Sequence, residues 1–295
     1  MTRRTYLMAA SGLLFAAGPS DRPRKQGKLL LHARSRTDSL AVQQRELIYN
    51  VAETAIIICD MWDNHYCQNS AKRVRTLALR MNRVVSAARQ NGVQIIHAPS
   101  GTMDVYAGTP YRLRMMRAPK VTPPVPIISS CPLDRVREGE LPIDDVTQPC
   151  DDQVVGPAVR RYNRENELLE ITSYDGISDS GEEIYNFCMQ EGIHNIVLMG
   201  VHTNMCVLGR SFGIRQQVRL GMNVVLARDL TDAMYDPRQK PFVSHERGTE
   251  LVIEHIERFW CPSILSDDLV GQADSLPAAG PRAGRGPVGR PHTAN

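Results

Sequence analysis

The sequence predicts an α/β fold in three layers, with a mainly parallel sheet between two layers of helices. Short apolar runs without polar alternation are typical of strands covered on both faces, and four such runs stand at 54–59, 93–98, 196–199 and 223–227. Amphipathic segments separate these runs. The succession of strand, helix and strand implies right-handed crossovers between parallel neighbours.

The first half of the chain supplies an edge strand, a central strand and a long helix. Residues 28–31 are predicted to form a short edge strand, and 54–59 a central strand that ends at Asp60. The helix predicted over 70–91 has its apolar residues on one face and ends at Gly92, since glycine readily adopts the left-handed conformation that terminates helices.

A proline-rich stretch interrupts this pattern. Residues 100–166 contain nine of the nineteen prolines. Long irregular segments in compact domains are usually lids or insertions. We interpret this stretch, here called the excursion, as a cover over the site and not as a separate domain. Beyond it the sequence predicts a strand at 168–171 and helices that Ser180 and Ser244 cap.

The net charge of +3 is unevenly distributed. Residues 1–27 carry a net charge of +4 and residues 271–295 a net charge of +2, which leaves −3 for the middle of the chain. A mildly acidic middle argues against nucleic acid as a partner.

The sequence divides into an export signal with linker (1–27), a folded domain (28–270) and a Pro-, Gly- and Arg-rich tail (271–295) that we expect to be disordered.

The N-terminus resembles an export signal. Arg3 and Arg4 precede an apolar stretch at 6–17 that is too short to span a bilayer comfortably, and small residues follow at 16–18. Paired arginines before Tyr and Leu resemble a twin-arginine signal, with a Sec signal as the alternative. Either signal predicts a periplasmic or extracellular protein without stable membrane insertion. A disordered or membrane-anchored N-terminus is the competing interpretation.

Seven cysteines leave at least one thiol unpaired. Cys131 and Cys150 lie in the proline-rich excursion and could pair after export. Cys59 and Cys188 have the surroundings of core residues. Cys206 is our choice for the free thiol.

Cys206 lies at the turn between a strand and a helix. The strand 196–199 ends at Gly200, and Thr203 or Asn204 can cap a helix that would run to Leu220. Backbone N–H groups and the helix dipole would favour the thiolate, and the same N–H groups could hold an oxyanion. A small buried cysteine packed under a helix is an equally good interpretation of the spacing alone.

Asp60 follows the central strand, at the edge where open α/β sheets bind ligands. Its alternative role is that of a turn residue or helix cap. Trp62 and Tyr106 could form the wall of a site for a small planar substrate. They could equally be core or rim aromatics.

Two segments resemble the isochorismatase-like cysteine hydrolases, the group that includes nicotinamidases and carbamoylsarcosine amidases. Thr54-Ala-Ile-Ile-Ile-Cys-Asp60 is similar to that family's first strand and catalytic aspartate. Gly200-Val-His-Thr-Asn-Met-Cys206 is similar to its nucleophile turn. The resemblance implies a six-stranded parallel sheet, a small-molecule substrate, and a homo-oligomer as one option.

The resemblance also implies a mechanism. Cys206 would attack an amide-type carbonyl, and Asp60 would take the thiol proton and return it to the leaving amine. The bond between Val201 and His202 would be a cis peptide, and the N–H groups of His202 and Cys206 would form the oxyanion hole.

One departure from the family stands out. Its members normally carry a lysine near the end of the third strand, and residues 167–175 contain none. Arg160 or Arg161 of the excursion could supply the missing cation. Glu170 could instead lie near Asp60, where two carboxyl groups would form an acid–base pair. Glu170 as a surface residue at the strand end is the competing interpretation.

A metal is not expected, nor is any other cofactor. The family's metal-binding members use an Asp-x-His pair after the second strand, which here ends His97-Ala-Pro-Ser. His65, His97, Asp104 and His202 could still converge, because three such groups suffice for an open site. Scattered histidines are more often structural.

Three functions follow from this pattern. The first is an exported thiol hydrolase that cleaves a C–N bond of a small amide. The second is a binding protein of the same fold that lost activity with the lysine. The third is a vinyl-ether hydrolase that uses the aspartate without the thiol.

Overall fold

One eight-stranded sheet organises the part of the chain that the computed structural model describes, residues 22–271. The predicted export signal and all but the first residue of the predicted tail lie outside these residues. The strands are β1 (Lys28–Arg36), β2 (Val42–Asn50), β3 (Thr54–Cys59), β4 (Gln94–Ala98), β5 (Gly176–Ile177), β6 (Asn195–Val201), β7 (Asn223–Asp232) and β8 (Ser263–Ile264).

The strands lie in the order β2-β1-β8-β7-β6-β3-β4-β5. From β8 to β5 all neighbours are parallel, which confirms the predicted mainly parallel sheet. The hairpin β1–β2 adds two antiparallel strands beyond the six that the resemblance implied. Most of β2 is exposed, so its residues carry no alternation from which a strand could be predicted.

Helices cover both faces of the sheet. They are α1 (Gln68–Asn91), α2 (Pro110–Met116), α3 (Arg135–Glu138), α4 (Gly181–Glu191), α5 (Ile214–Arg219) and α6 (His245–Phe259). The apolar side of α1 packs with Ile56 and Ile58 of β3 on one face. The helices α4, α5 and α6 share the opposite core with Ala55 and Ile57. This arrangement confirms the three layers.

The strand predicted at 168–171 is absent. Residues 167–175 form turns, and Arg89 of α1 holds them by donating to Glu170 O at 3.0 Å and to Asp175 Oδ1 at 2.9 Å. The strand beside β4 is instead the two-residue β5. The apolar residues at 168 and 169 pack against the α1 face of the sheet without joining it.

The helix predicted from Cys206 to Leu220 is interrupted. A π-helical turn spans Thr203–Val207, and α5 begins only at Ile214. Arg210 leaves the helix to form a β-bridge with Ser130 of the excursion. A Cβ at Gly213 would lie 2.8 Å from Val207 O, so the chain bends closely back at this point.

A disulfide fastens the excursion to the start of α1. Cys67 and Cys150 are bonded, with a Cα–Cα distance of 5.6 Å, so the predicted pairing of Cys131 with Cys150 is wrong. Cys131 is a buried free thiol. Asp152 accepts the N–H groups of Gln68 and Asn69, both at 2.8 Å, and thereby caps α1 from outside the helix.

The segment before β1 also binds the domain. Arg22 is buried and donates to Ala52 O at 2.8 Å and to Gly92 O at 3.0 Å.

Between residues 22 and 271, no helix has the length and apolar content needed to cross a membrane.

Candidate active site

Asp60 lies at the carboxyl end of β3 and is fully buried. Its N–H donates to Ala98 O at 3.1 Å, and its φ of 49° is a conformation that Asp tolerates better than most residues. Oδ1 accepts the Ser100 N–H at 2.8 Å, and Oδ2 accepts Arg210 Nε at 2.9 Å. The carboxylate is therefore held between the loop after β4 and the turn after β6.

The turn after β6 brings Cys206 to this carboxylate. Gly200 has a φ of 111°, and a Cβ there would lie 2.1 Å from Cys59 O, so only glycine allows β6 to approach β3 so closely. The Val201–His202 peptide bond is cis, as the resemblance implied. The π-helical turn then places Cys206, which is half-buried, beside Asp60.

The surroundings of Cys206 favour its neutral thiol over the thiolate. Burial raises its pKa above the ordinary value, and the charge and hydrogen bond of Asp60 raise it further. Arg210 and the N–H of His202 oppose this rise without reversing it. The direction of this shift runs against the thiolate that the turn after the strand predicts. Burial and a neighbouring carboxylate outweigh the local N–H groups, and the arrangement is a thiol with a base beside it.

Arg210 is the cation that sequence reasoning missed. It follows Cys206 by one helical turn, and its N–H donates to Cys206 O at 3.0 Å. Burial alone would lower the pKa of its guanidinium, but the charges of Asp60 and Cys206 raise it. The spacing Cys-x-x-x-Arg was the available signal, because residues four apart share a helix face.

The alternative cations do not replace Arg210. Arg160 donates to Tyr162 O at 3.0 Å and lies 4.9 Å above the Tyr162 ring, while Arg161 is exposed. Glu170 is exposed too, and its N–H donates to Asn82 of α1 at 3.0 Å. The expected pairing of Glu170 with Asp60 is wrong, because its segment folds against α1 and not into the sheet.

An aromatic stack borders the site formed by Cys206, Asp60 and Arg210. Trp62 and Tyr162 are parallel within 13°, with ring centroids 4.2 Å apart. Burial, and then the charge of Asp60, raises the pKa of Tyr162. Tyr106 lies behind this stack and accepts the N–H of Glu165 at 3.0 Å. Of the two aromatics predicted for the substrate wall, Trp62 is stacked near Asp60, and Tyr106 supports the loop. Tyr162, in the excursion, carried no signal in the sequence.

His65, His97, Asp104 and His202 do not come together as one set of metal ligands. His97 is fully buried, with Nδ1 2.7 Å from Glu165 Oε2 and Nε2 3.3 Å from Asp175 Oδ2. His202 lies 3 % exposed beneath the turn, where its Nε2 is 2.7 Å from Ser70 Oγ and its ring centroid 5.2 Å from that of His65. Asp104 is exposed.

One group of metal-ligating atoms is found within the described residues. Atoms of Cys67, Cys150 and Asp152 lie within 4.8 Å of one another. The two sulfurs form the disulfide, and Asp152 caps α1 with both oxygens. These groups are therefore already used in holding the excursion.

A cavity of about 560 Å³ opens beside the thiol. Residues 130–146 of the excursion form one wall, and the other wall runs from Asn204 to Arg215 and includes Cys206 and Arg210. The volume is that of a small-molecule site. The excursion thus does border the candidate site.

The sequence matches no protein-family model, and a search among curated proteins finds no match. Among solved structures, a cysteine hydrolase from Pseudomonas syringae pv. phaseolicola 1448A is similar. Its sequence identity is 18 %, its TM-score 0.48, and the alignment covers 77 % of this chain and 95 % of that chain.

Two further structures are similar at lower scores. An isochorismatase from Pseudomonas putida KT2440 has 13 % identity and a TM-score of 0.42, over 74 % of this chain and 90 % of that chain. N-carbamoylsarcosine amidase from Thermoplasma acidophilum has 10 % identity and a TM-score of 0.39, over 73 % and 97 %. At such identities, function has to be argued from the residues of the site.

Proposed function

We propose that this chain is a cysteine hydrolase that cleaves a C–N, amide-type bond of a small molecule. The observation that carries the proposal is the trio of Cys206, Asp60 and Arg210 beside the cavity. A thiol, a buried carboxylate beside it, and a cation bound to that carboxylate are the groups that nucleophilic acyl transfer requires.

Acylation begins from the neutral thiol. Cys206 Sγ attacks the carbonyl carbon as Asp60 takes the thiol proton, so a C–S bond forms and the carbonyl π pair moves to oxygen. The N–H groups of His202 and Cys206 stabilise this oxyanion. When the intermediate collapses, the C–N bond breaks, and Asp60 returns its proton to the departing nitrogen. The products are an amine or ammonia and a thioester.

Deacylation repeats the cycle with water. Asp60 removes a proton from the attacking water, the oxyanion forms again, and the C–S bond breaks. The sulfur recovers the proton from Asp60, and the carboxylic acid leaves. Arg210 lowers the energy of the charged states in both halves, because its cation lies beside the sulfur and the carboxyl group throughout.

The test is release of ammonia or amine from a panel of small primary amides and ureido compounds. We expect a thioester adduct on Cys206 by intact mass spectrometry, and loss of turnover in Cys206→Ala and in Asp60→Asn. Cys131→Ala is the matched control, because Cys131 is another free cysteine on the cavity wall. Amide turnover that survives Cys206→Ala would overturn the thiol mechanism, and cleavage of a vinyl ether by the same variant would favour the vinyl-ether hydrolase.

We further propose that the protein is exported. Support comes from the paired arginines and apolar stretch of residues 3–17 and from the Cys67–Cys150 disulfide, since disulfides persist mainly in oxidising compartments. Expression of the full chain in a bacterium with a twin-arginine pathway should yield a processed periplasmic protein. The Arg3→Lys/Arg4→Lys variant should stay in the cytoplasm. Equal export of both forms would exclude a twin-arginine signal.

A further inference from the structure

The cavity beside Cys206 is lined by three arginines and by three carboxylates, Glu140, Asp144 and Asp145. Each arginine is already paired with a carboxylate, and two of these partners, Asp60 and Glu138, lie outside the lining. Arg210 binds Asp60 at 2.9 Å, Arg215 binds Glu138 at 2.7 Å and Arg135 binds Glu140 at 2.5 Å. Two further carboxylates of the wall, Asp144 and Asp145, have no ion pair within the described residues.

These two carboxylates differ in their surroundings. Both carboxylate oxygens of Asp144 accept hydrogen bonds from its own turn. They accept the N–H groups of Val146 and Thr147 at 3.0 and 2.9 Å and the Thr147 hydroxyl at 2.7 Å. Asp145 is half-buried and accepts one side-chain hydrogen bond, from Asn204 Nδ2 at 3.0 Å. A carboxylate has about four acceptor positions, so Asp145 can accept further donors.

Asn204 fixes Asp145 relative to the nucleophile. Its side chain is 3 % exposed, donates to Met234 O at 3.2 Å and accepts the Met234 N–H at 2.8 Å. It also stands two residues before Cys206 in the π-helical turn. The amide that orients Asp145 is therefore part of the turn that positions the thiol, so the carboxylate and the sulfur keep a constant relation across the cavity, each on its own wall.

We propose that Asp145 binds a cationic ammonium or amidinium group of the substrate, so that the enzyme acts on small amides with a positive charge at the end opposite the scissile bond. This inference rests on the proposed hydrolase function and names its substrate class. An anionic substrate would meet no unpaired cation among the described residues of the cavity. A cationic group would complete the coordination of Asp145, whose pKa burial raises while it lacks such a partner.

The experiment compares ω-amino amides from glycinamide to 5-aminopentanamide with alkyl amides of equal length. The series is needed because it varies the distance between ammonium and carbonyl. We expect one chain length to exceed its neutral counterpart in kcat/KM by about tenfold to a hundredfold, the range expected for a hydrogen bond to a charged group. Asp145→Asn should bring the ratio of kcat/KM for the cationic amide to kcat/KM for its neutral counterpart down to about one. Asparagine keeps an oxygen for Asn204, so the fold should be retained.

Glu140→Gln is the matched control, because it removes the same charge from the cavity wall at an exposed residue. It should keep the preference for the cationic amide. Binding of the same amides to Cys206→Ala by calorimetry separates the two proposals, because it does not depend on turnover. Cation-selective binding without turnover would support the Asp145 site and count against the amidase. If the wild type turns over alkyl and amino amides at equal kcat/KM, the Asp145 site is overturned and the amidase is not. The same conclusion follows if Glu140→Gln loses the preference for the cationic amide as fully as Asp145→Asn does.

Discussion

Arg210 Nε lies 2.9 Å from Asp60 Oδ2, and the Cys206 thiol lies near enough to the same carboxylate for its charge to raise the thiol pKa. The Asp60 carboxylate thus faces both a thiol and a guanidinium. This geometry gives Asp60 two tasks, since it is the acceptor for the thiol proton and the anchor of the cation. It also places the cation on the nucleophile's own helical turn, where the resemblance implied a lysine on a different strand.

Removal of the Arg210 charge should reduce amidase activity. In Arg210→Met we expect kcat/KM to fall about 10²–10³-fold, the loss typical of removing one transition-state donor. Arg210→Lys should retain most of the activity, because an ammonium supplies the same charge. Arg135→Met, at another arginine of the cavity wall, should change kcat/KM little, since its side chain is 71 % exposed and pairs with Glu140. An unchanged kcat/KM in Arg210→Met would exclude a catalytic role for this cation.

The pKa of Cys206 should move in opposite directions when its two charged neighbours are removed. Asp60 raises this pKa and Arg210 lowers it. Asp60→Asn should therefore shift the pH profile of iodoacetamide alkylation to lower pH, and Arg210→Met should shift it to higher pH. The measurement is the alkylation rate of Cys206 between pH 6 and 11, followed by mass spectrometry. The other free cysteines are buried and serve as the internal control. Shifts of the same sign in both variants would contradict the assignment.

The sequence predicted those parts of the fold that carry a buried periodic pattern. The strands β3, β4, β6 and β7 were predictable because both faces are covered, and α1 because one face is apolar. The strand β2 escaped prediction because it is exposed, and β5 because two residues carry no pattern. The helix after Cys206 was predicted too long, since its interruption depends on Ser130, which is 80 residues earlier in the sequence.

The residues of the candidate site also differ in whether a local sequence pattern could predict them. Asp60 and Cys206 were found because each ends a strand, and strand ends of a parallel sheet lie at one edge. Tyr162 and Asp145 reach the site only through the folded excursion, whose course depends on the Cys67–Cys150 disulfide and on Asp152 at the start of α1. No local pattern encodes such long-range contacts. The same reason explains the wrong expectations for Glu170 and for the pairing of Cys131.

The Cys67–Cys150 disulfide should stabilise the fold. It closes a loop across 83 positions of the chain, and loss of such a bond typically costs about 2–5 kcal/mol in the free energy of unfolding. We expect Cys67→Ala/Cys150→Ala to lower that free energy in urea denaturation by this amount. A thiol-free reductant should destabilise the wild type to the same level and leave the double variant unchanged, which controls for the loss of side-chain packing. Two free thiols at these positions in the oxidised protein would contradict the prediction.

The buried His97 should make stability depend on pH. Burial opposes its charge, but Glu165 and Asp175 raise its pKa from 6.5 to about 9. The imidazolium therefore stabilises the folded chain fully below pH 6.5, and this contribution is lost as the pH rises to about 9. The shift corresponds to about 3 kcal/mol. In the wild type, the free energy of unfolding, measured by urea denaturation, should fall by about 3 kcal/mol between pH 6.5 and 9.5.

The variant His97→Gln tests the origin of that dependence. It leaves Glu165 buried without its cation, so we expect a loss of about 3–5 kcal/mol at pH 6.5 and a much flatter profile above it. His194→Gln is the control, because His194 is exposed and its loss should leave the profile intact. A steep profile retained in His97→Gln would assign the pH dependence to other groups. An NMR titration that shows the His97 ring deprotonating near pH 6.5 would contradict the charged state of the buried cluster.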